Sequence, residues 1–244
     1  MELNNRIALV TGAAKRVGRS IALALARRGA HVAITYRTSQ READQLIKEL
    51  DALGKKSLAI RADVSRAGDV TTAVGRVVET FGRVDILVNN AAVFPRTPWA
   101  VLDEAAWDEV IDTNLKGSFL VAKAVGDRMK VQGAGKIVNI ADWAGERPYR
   151  NYLPYCISKA GVIALTKALA LELAPEVQVN AISPGPVMLP DDMSAKQKEA
   201  VIAATPLRRI GSPEDIANAV LFLLEGSDFI TGAVLPVDGG RLIA

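Results

Sequence analysis

The amino-acid sequence predicts an α/β protein: one doubly wound domain, residues 1–244, with a mainly parallel seven-stranded sheet flanked by helices. Three observations carry that expectation. Short runs rich in Val and Ile alternate with longer segments of helical period. The strand runs are apolar almost throughout, as strands covered on both faces are. No internal repeat, low-complexity tract or linker divides the 244 residues, and 50% of them are apolar, enough for one large core.

Each element can be justified in turn. The runs "RIALVTG" (6–12), "HVAITY" (31–36), "SLAIRADV" (57–64) and "VDILVNNAA" (84–92) read as strands, bounded by Gly, Pro or Asx. So do "GKIVNIAD" (135–142), "VQVNAISPG" (177–185) and "AVLPVDGG" (233–240). Helical spacing marks "GRSIALALARRGA" (18–30), "READQLIKELDALG" (41–54) and "WDEVIDTNLKGSFLVAKAV" (107–125), the last interrupted by Asn114. The stretch "VIALTKALALELA" (162–174) is apolar nearly all round, so it is expected to pack against something beyond its own sheet. "SPEDIANAVLFLLEG" (212–226) has a full start signal: Ser212 as N-cap, Pro213 next, and acids in the first turn. In a sheet of this kind ligands bind beyond the carboxyl ends of the strands. Thr11-Gly12, Tyr36-Arg37, Asp63, Asn89-Asn90, Asp142 and Pro184-Gly185 stand at those ends and should line one crevice.

Composition excludes several function classes. The net charge is +3, and no run of Lys and Arg exceeds two residues, so no nucleic-acid footprint is expected. The single cysteine, Cys156, rules out an internal disulfide and a thiolate cluster, and the single histidine, His31, argues against an imidazole zinc site. No metal is expected. The N-terminal "MELNNRIALVTG" enters a strand at once, and no apolar run approaches the roughly 18 residues of a membrane span. A soluble, cytoplasmic protein acting on a small molecule is the expectation.

Between the first strand and the first helix lies "TGAAKRVGRS". Gly12 permits a tight turn, Gly18 lets the helix start pack close to the sheet, and the helix N-terminus offers N–H groups to a pyrophosphate. An ordinary strand–helix turn is the competing reading. After the second strand, "ITYRTS" lacks the acid that would bind a ribose 2′-hydroxyl and offers Arg37 with Thr38 and Ser39, which suits a 2′-phosphate. NADP(H) is therefore expected over NAD(H).

These residues, with "NNAA" at 89–92, Asn114, "YCISK" at 155–159 and "SPGPV" at 183–187, resemble the short-chain dehydrogenase/reductase superfamily. The resemblance implies a Rossmann-like fold, hydride transfer with a nicotinamide, and catalytic Asn114, Tyr155 and Lys159. It places Asp63 and Asn90 at the adenosine portion and the Pro184–Val187 turn beside the nicotinamide. The coenzyme-contacting set it implies is Gly12, Arg16, Val17, Gly18, Arg37, Thr38, Asp63, Val64, Asn90, Ala91, Tyr155, Lys159, Pro184, Gly185 and Val187. A homotetramer is implied as well, with the 162–174 helix and that around 104–130 facing other subunits.

Two departures from the superfamily pattern are informative. The middle glycine of T-G-x-x-x-G-x-G is Arg16, and the serine usual thirteen residues before the tyrosine is Asp142. Both occur together in the pteridine reductase branch, which this sequence resembles. That likeness implies substrate contacts from Arg16, Phe94, Asp142, Tyr152 and Tyr155, with a flat pterin held between Phe94 and the nicotinamide.

Tyr155 and Lys159 lie one helical turn apart on one face. A free tyrosine titrates near ~10, and a neighbouring ammonium is expected to lower that value. Lys159 can also bond the nicotinamide ribose, while family similarity has Asn114 hold a water that links Lys159 to solvent. Trp143, Tyr149 and Tyr152 are expected at the mouth of the site, and Cys156 is expected to be an inert packed thiol. Asp142 has three readings. It is protonated through burial; or it accepts N–H groups from a C=N heterocycle; or it turns away and caps a loop. Three functions follow: an NADPH-dependent pterin-type reductase leads, a ketone or 3-oxoacyl reductase is the alternative, and a non-catalytic NADP(H) sensor is the remote third.

Overall fold

The computed structural model describes residues 1–189 and 193–244. Its strands are β1 (Ile7–Val10), β2 (His31–Tyr36), β3 (Ser57–Arg61), β4 (Ile86–Asn89), β5 (Gly135–Ile140), β6 (Val177–Pro184) and β7 (Val234–Val237). The helices are α1 (Arg16–Arg27), α2 (Gln40–Ala52), α3 (Ala67–Phe81), α4 (Glu104–Ile111), α5 (Gly117–Gln132), α6 (Leu153–Glu172), α7 (Ala195–Ala203) and α8 (Pro213–Glu225). The strands form one sheet in the order β3-β2-β1-β4-β5-β6-β7, with every neighbouring pair parallel. This is the Rossmann-like, doubly wound architecture that the alternating pattern predicts.

Strand side chains alternate between two cores, which explains the near-continuous apolar runs. Ala8, Val10, Ile86 and Val88 pack on one face with α1, α2 and α8. Ile7, Leu9, Leu87 and Ile137 pack on the other with α3, α5 and α6. α6 is apolar enough, at a mean hydropathy of 1.2 over an 18-residue window, to match a membrane span by composition. Half of it is buried inside the protein, and it packs on β6 as a core helix.

The strands are shorter than the sequence runs. β3 ends at Arg61, with Ala62 N making a last bond to Tyr36 O (2.9 Å), and β4 at Asn89, so Asp63–Val64 and Asn90–Ala92 continue beyond the ladder. The helical pattern around 107–125 is also not one α-helix. A π-turn over Asp112–Lys116 separates α4 from α5 and holds Asn114. Such turns mark functional positions often enough to direct attention there.

Candidate active site

The strand order turns back between β1 and β4, and the crevice outside their carboxyl ends is where a doubly wound sheet binds its ligand. Gly12 closes β1 with φ +61°, and a Cβ there would lie 2.8 Å from Ala91 Cα. A Cβ on Gly18 would stand 2.5 Å from Asn90 Nδ2 and 2.8 Å from Ala13 Cα. Asn90 Nδ2 donates to the carbonyls of Thr11 (2.9 Å) and Gly12 (3.1 Å), while Thr11 Oγ1 accepts the N–H groups of Asn90 and Ala91, each at 3.0 Å. Asn90 thus uses both amide donors to lock the glycine turn, and only its Oδ1 is left to meet a ligand. No side chain caps the first turn of α1, and no acid stands in it. A backbone cradle that a Cβ would fill, beside open helix N–H groups, fits the pyrophosphate of a dinucleotide.

Arg16 begins α1 with φ +58°, the left-handed region, where the superfamily pattern has glycine. Val17, next to it, is partly buried and packs against the core. Val64 is buried against Gly117, whose Cβ would lie 2.8 Å from Val64 Cγ2. Gly185 donates to Val237 O (3.0 Å), which ties the turn after Pro184 to β7. Val187 lines a second cavity of about 430 Å³ between that turn, residues 206–211 and β7. Arg37, Thr38 and Asp63 line a different pocket, of about 360 Å³, at the ends of β2 and β3. Arg61 and Arg66 line it too, and neither belongs to the motifs that the sequence singles out. The signal was their spacing: each stands within three residues of Asp63.

At the end of β5, Asp142 turns both oxygens inward. Oδ1 accepts from Ala144 N (2.8 Å) and so caps the 3₁₀ turn Trp143–Gly145; Oδ2 accepts from the Tyr155 hydroxyl (2.9 Å). Asp142 thus caps the turn without turning away: one oxygen holds the loop and the other faces Tyr155. Burial raises the Asp142 carboxyl above the usual range, against the Ala144 N–H, the Lys159 charge and the Tyr155 hydroxyl.

Tyr155 corrects an expectation. Lys159 was expected to lower its pKa; burial, followed by the Asp142 charge, instead holds it well above the ordinary tyrosine value. Geometry gives the reason. The hydroxyl faces the carboxylate, whereas Lys159 Nζ lies 5.7 Å from the ring centroid and donates to Ile140 O at 2.7 Å. Lys159 is itself 4% exposed, and burial lowers it to about 8 with Asp142 opposing.

Asn114 joins two parts of the site. Nδ2 donates to Val93 O (3.0 Å) and Ser158 Oγ (3.1 Å), and Oδ1 accepts from Val93 N (2.8 Å). Ser158 in turn donates to Tyr155 O (2.7 Å). With both donors engaged, the Asn114 amide keeps one acceptor position open, so it fixes the chain after β4 against α6 beside Lys159.

Aromatic rings wall the mouth. Phe94 is half-exposed and stacks on Tyr152, centroids 4.4 Å apart at 9°, while meeting Tyr155 edge-on at 4.5 Å. Tyr149 bridges Tyr152 (5.4 Å) and Trp143 (5.6 Å). Tyr152 thus reaches the Asp142–Tyr155 pair through Phe94 and Tyr149. Cys156 is buried, with Sγ 3.9 Å from Tyr149 O, a packed thiol.

A proton donor, a buried ammonium one turn on and a dinucleotide cradle together suit hydride chemistry at a polar double bond. The family model described as enoyl-(acyl carrier protein) reductase matches residues 12–241. The chain belongs to the short-chain dehydrogenase/reductase superfamily. Over 97% of its length it is 40% identical to the 3-oxoacyl-[acyl-carrier-protein] reductase of Staphylococcus epidermidis, covering 98% of that protein. A structure described as a putative short-chain alcohol dehydrogenase from Sinorhizobium meliloti superposes with a TM-score of 0.95 at 36% identity, covering 100% of this chain and 98% of that one. A 7α-hydroxysteroid dehydrogenase in complex with NADH and 7-oxo glycochenodeoxycholic acid gives 0.94 at 30%, over 98% and 95% of the two chains. This member of the superfamily is an NAD(P)-dependent oxidoreductase. The reductase relative's name matches the carbonyl expectation more closely than the pterin one.

Proposed function

We propose that this chain is an NADPH-dependent carbonyl reductase whose substrate class is a 3-oxoacyl thioester or similar ketone. The observation that carries the reading is the buried Tyr155–Lys159 pair at the carboxyl edge of the sheet, beside the glycine cradle. The relatives named 3-oxoacyl-[acyl-carrier-protein] reductase, 40–41% identical over at least 96% of the chain, supply the substrate class.

When bound, the nicotinamide supplies a hydride to the carbonyl carbon. Tyr155 gives its hydroxyl proton to the carbonyl oxygen, so C=O becomes CH–OH with one hydride and one proton. The raised Tyr155 pKa keeps that proton in place until substrate arrives. Lys159, held by Ile140 O, sets a positive charge near the tyrosinate that remains. Asp142 stands 2.9 Å from the Tyr155 hydroxyl with its pKa raised by burial, and on taking up a proton it donates a hydrogen bond as a serine would. Asn114 holds the Val93 segment and α6 in register. Arg37 and its pocket favour the 2′-phosphate of NADPH, and the working form is a homotetramer.

One observation favours a second reading, a pterin-like C=N heterocycle. Phe94 is half-exposed and meets Tyr155 edge-on, and Tyr155 bonds a carboxylate that can accept N–H groups. NADPH oxidation with acetoacetyl-CoA, a dihydropterin and a quinone separates the readings. The thioester should turn over fastest; turnover of the dihydropterin alone would overturn the carbonyl reading, and turnover of none would point to a sensor.

A further inference from the structure

The pocket at the ends of β2 and β3 is lined by three arginines, where one would serve to discriminate the coenzyme. Arg37 follows β2. Arg61 closes β3, paired across the ladder with Tyr36, and Arg66 is the residue before α3. All three line the same cavity of about 360 Å³ with Thr38, Asp63 and Asp69. Arg61 Nε donates to the Arg37 carbonyl at 3.3 Å, which sets the two arginines side by side.

Two carboxylates share the cavity, yet neither neutralises an arginine. Asp63 Oδ1 accepts from Ser65 N (3.0 Å) and Ser65 Oγ (2.7 Å), and Asp69 Oδ2 accepts from Asp63 N (2.9 Å). Among the described residues, none of the three guanidinium groups lies within 4.0 Å of a carboxylate oxygen. Against the upward push of burial, the Ser65 bonds and then the charges of Arg37 and Arg66 hold Asp63 below the usual carboxylate range. Both arginines therefore act at the same point. Three unpaired guanidinium groups around one open space repel each other, and a dianion relieves that repulsion.

We infer that Arg61 and Arg66 determine coenzyme specificity, completing with Arg37 a three-guanidinium cradle for the 2′-phosphate of NADPH. A phosphate monoester carries about −1.5 to −2 charges and three acceptor oxygens, so one fork does not saturate it. Selectivity is then distributed: removing any one arginine weakens it without abolishing it. This assignment rests on the NADPH reading above and goes beyond Arg37.

Titrations of the full chain and of the Arg37→Gln, Arg61→Gln and Arg66→Gln variants test it. The ligands are NADPH, NADH, adenosine 2′,5′-bisphosphate and 5′-AMP. Each substitution should weaken NADPH and the bisphosphate by about ten- to a hundredfold, and leave NADH and 5′-AMP within about twofold. If the unaltered chain prefers NADPH while Arg61→Gln and Arg66→Gln keep its NADPH-to-NADH ratio, the cradle falls and the NADPH reading stands. An equal loss for NADH would assign these residues to the adenosine half at large and overturn the phosphate role. Equal affinities in the unaltered chain would overturn both.

Discussion

Asp142 presents one oxygen to a backbone N–H and the other to the Tyr155 hydroxyl, so its protonation decides what a substrate meets. In the carbonyl reading the protonated acid donates, and ketone reduction should fall as pH rises through its raised pKa. Asp142→Ser should remove that limb and leave kcat/KM for ketones equal or higher. If a nitrogen heterocycle is the substrate, the same change loses a charge-assisted contact of roughly 1.5–3 kcal/mol, about ten- to a hundredfold in rate. Profiles of kcat/KM against pH for both substrates decide, and equal loss on both would leave the carboxylate no selective role. The Tyr155–Lys159 pairing was legible because helix geometry fixes residues four apart. The direction of the Tyr155 shift was not, because it depends on how deeply the fold buries the hydroxyl and on the Asp142 carboxyl it faces. Arg16 shows the same divide: its identity is plain in the sequence, but its φ of +58° is visible only in the fold. A non-glycine residue held there costs on the order of 1–2 kcal/mol, and such strain is typically retained where the side chain has work to do.

At the level of elements, start signals proved more readable than ends. The signal at 212–215 is a full capping box. Ser212 Oγ accepts from Asp215 N (3.2 Å), Asp215 Oδ2 accepts from Ser212 N (2.8 Å), and Arg209 grips the same carboxylate at 2.8 and 3.1 Å. Ser212→Ala should cost about 1 kcal/mol in urea unfolding with an unchanged m-value. Asp215 is held at about 2, first by the Arg209 hydrogen bond and then by the Ser212 N–H, below its ordinary 3.8. Its contribution is therefore complete above 3.8 and is lost as pH falls through about 2. Asp215→Asn should flatten that acid limb; an unchanged limb would show that the box adds nothing to stability. By contrast, no local pattern announces the π-turn at 112–116, because the residues around it keep the apolar spacing of a helix. Arg61 and Arg66 were missed for a related reason. One ends a strand and the other precedes a helix. The β2–β3 register sets Arg61 opposite Tyr36, and the turn after Asp63 returns Arg66 to the same pocket, so their nearness to Asp63 in sequence shows its meaning only in the fold.

Across the molecule, the two cores account for the inward faces of the helices but not for the outward face of one layer. α5 and α6 pack over the same core, and they leave Phe119 (43%), Val131 (91%), Ile157 (47%) and Leu171 (82%) exposed. Single exposed apolar residues are ordinary, but here four fall on two helices that share one core, one of them apolar nearly all round. Covering that face with another copy of the chain would bury it symmetrically, as closed homo-oligomers do. The expectation is a particle of four times the chain's 26.0 kDa by light scattering at micromolar concentration. Phe119→Glu with Leu171→Glu should shift it to smaller species by placing unpaired carboxylates in the contact. The isolated chain keeps Asp142, Tyr155 and Lys159 in mutual position, so NADPH binding should outlast dissociation. A monomer for the unaltered chain, or a tetramer indifferent to both substitutions, would remove these helices from the assembly.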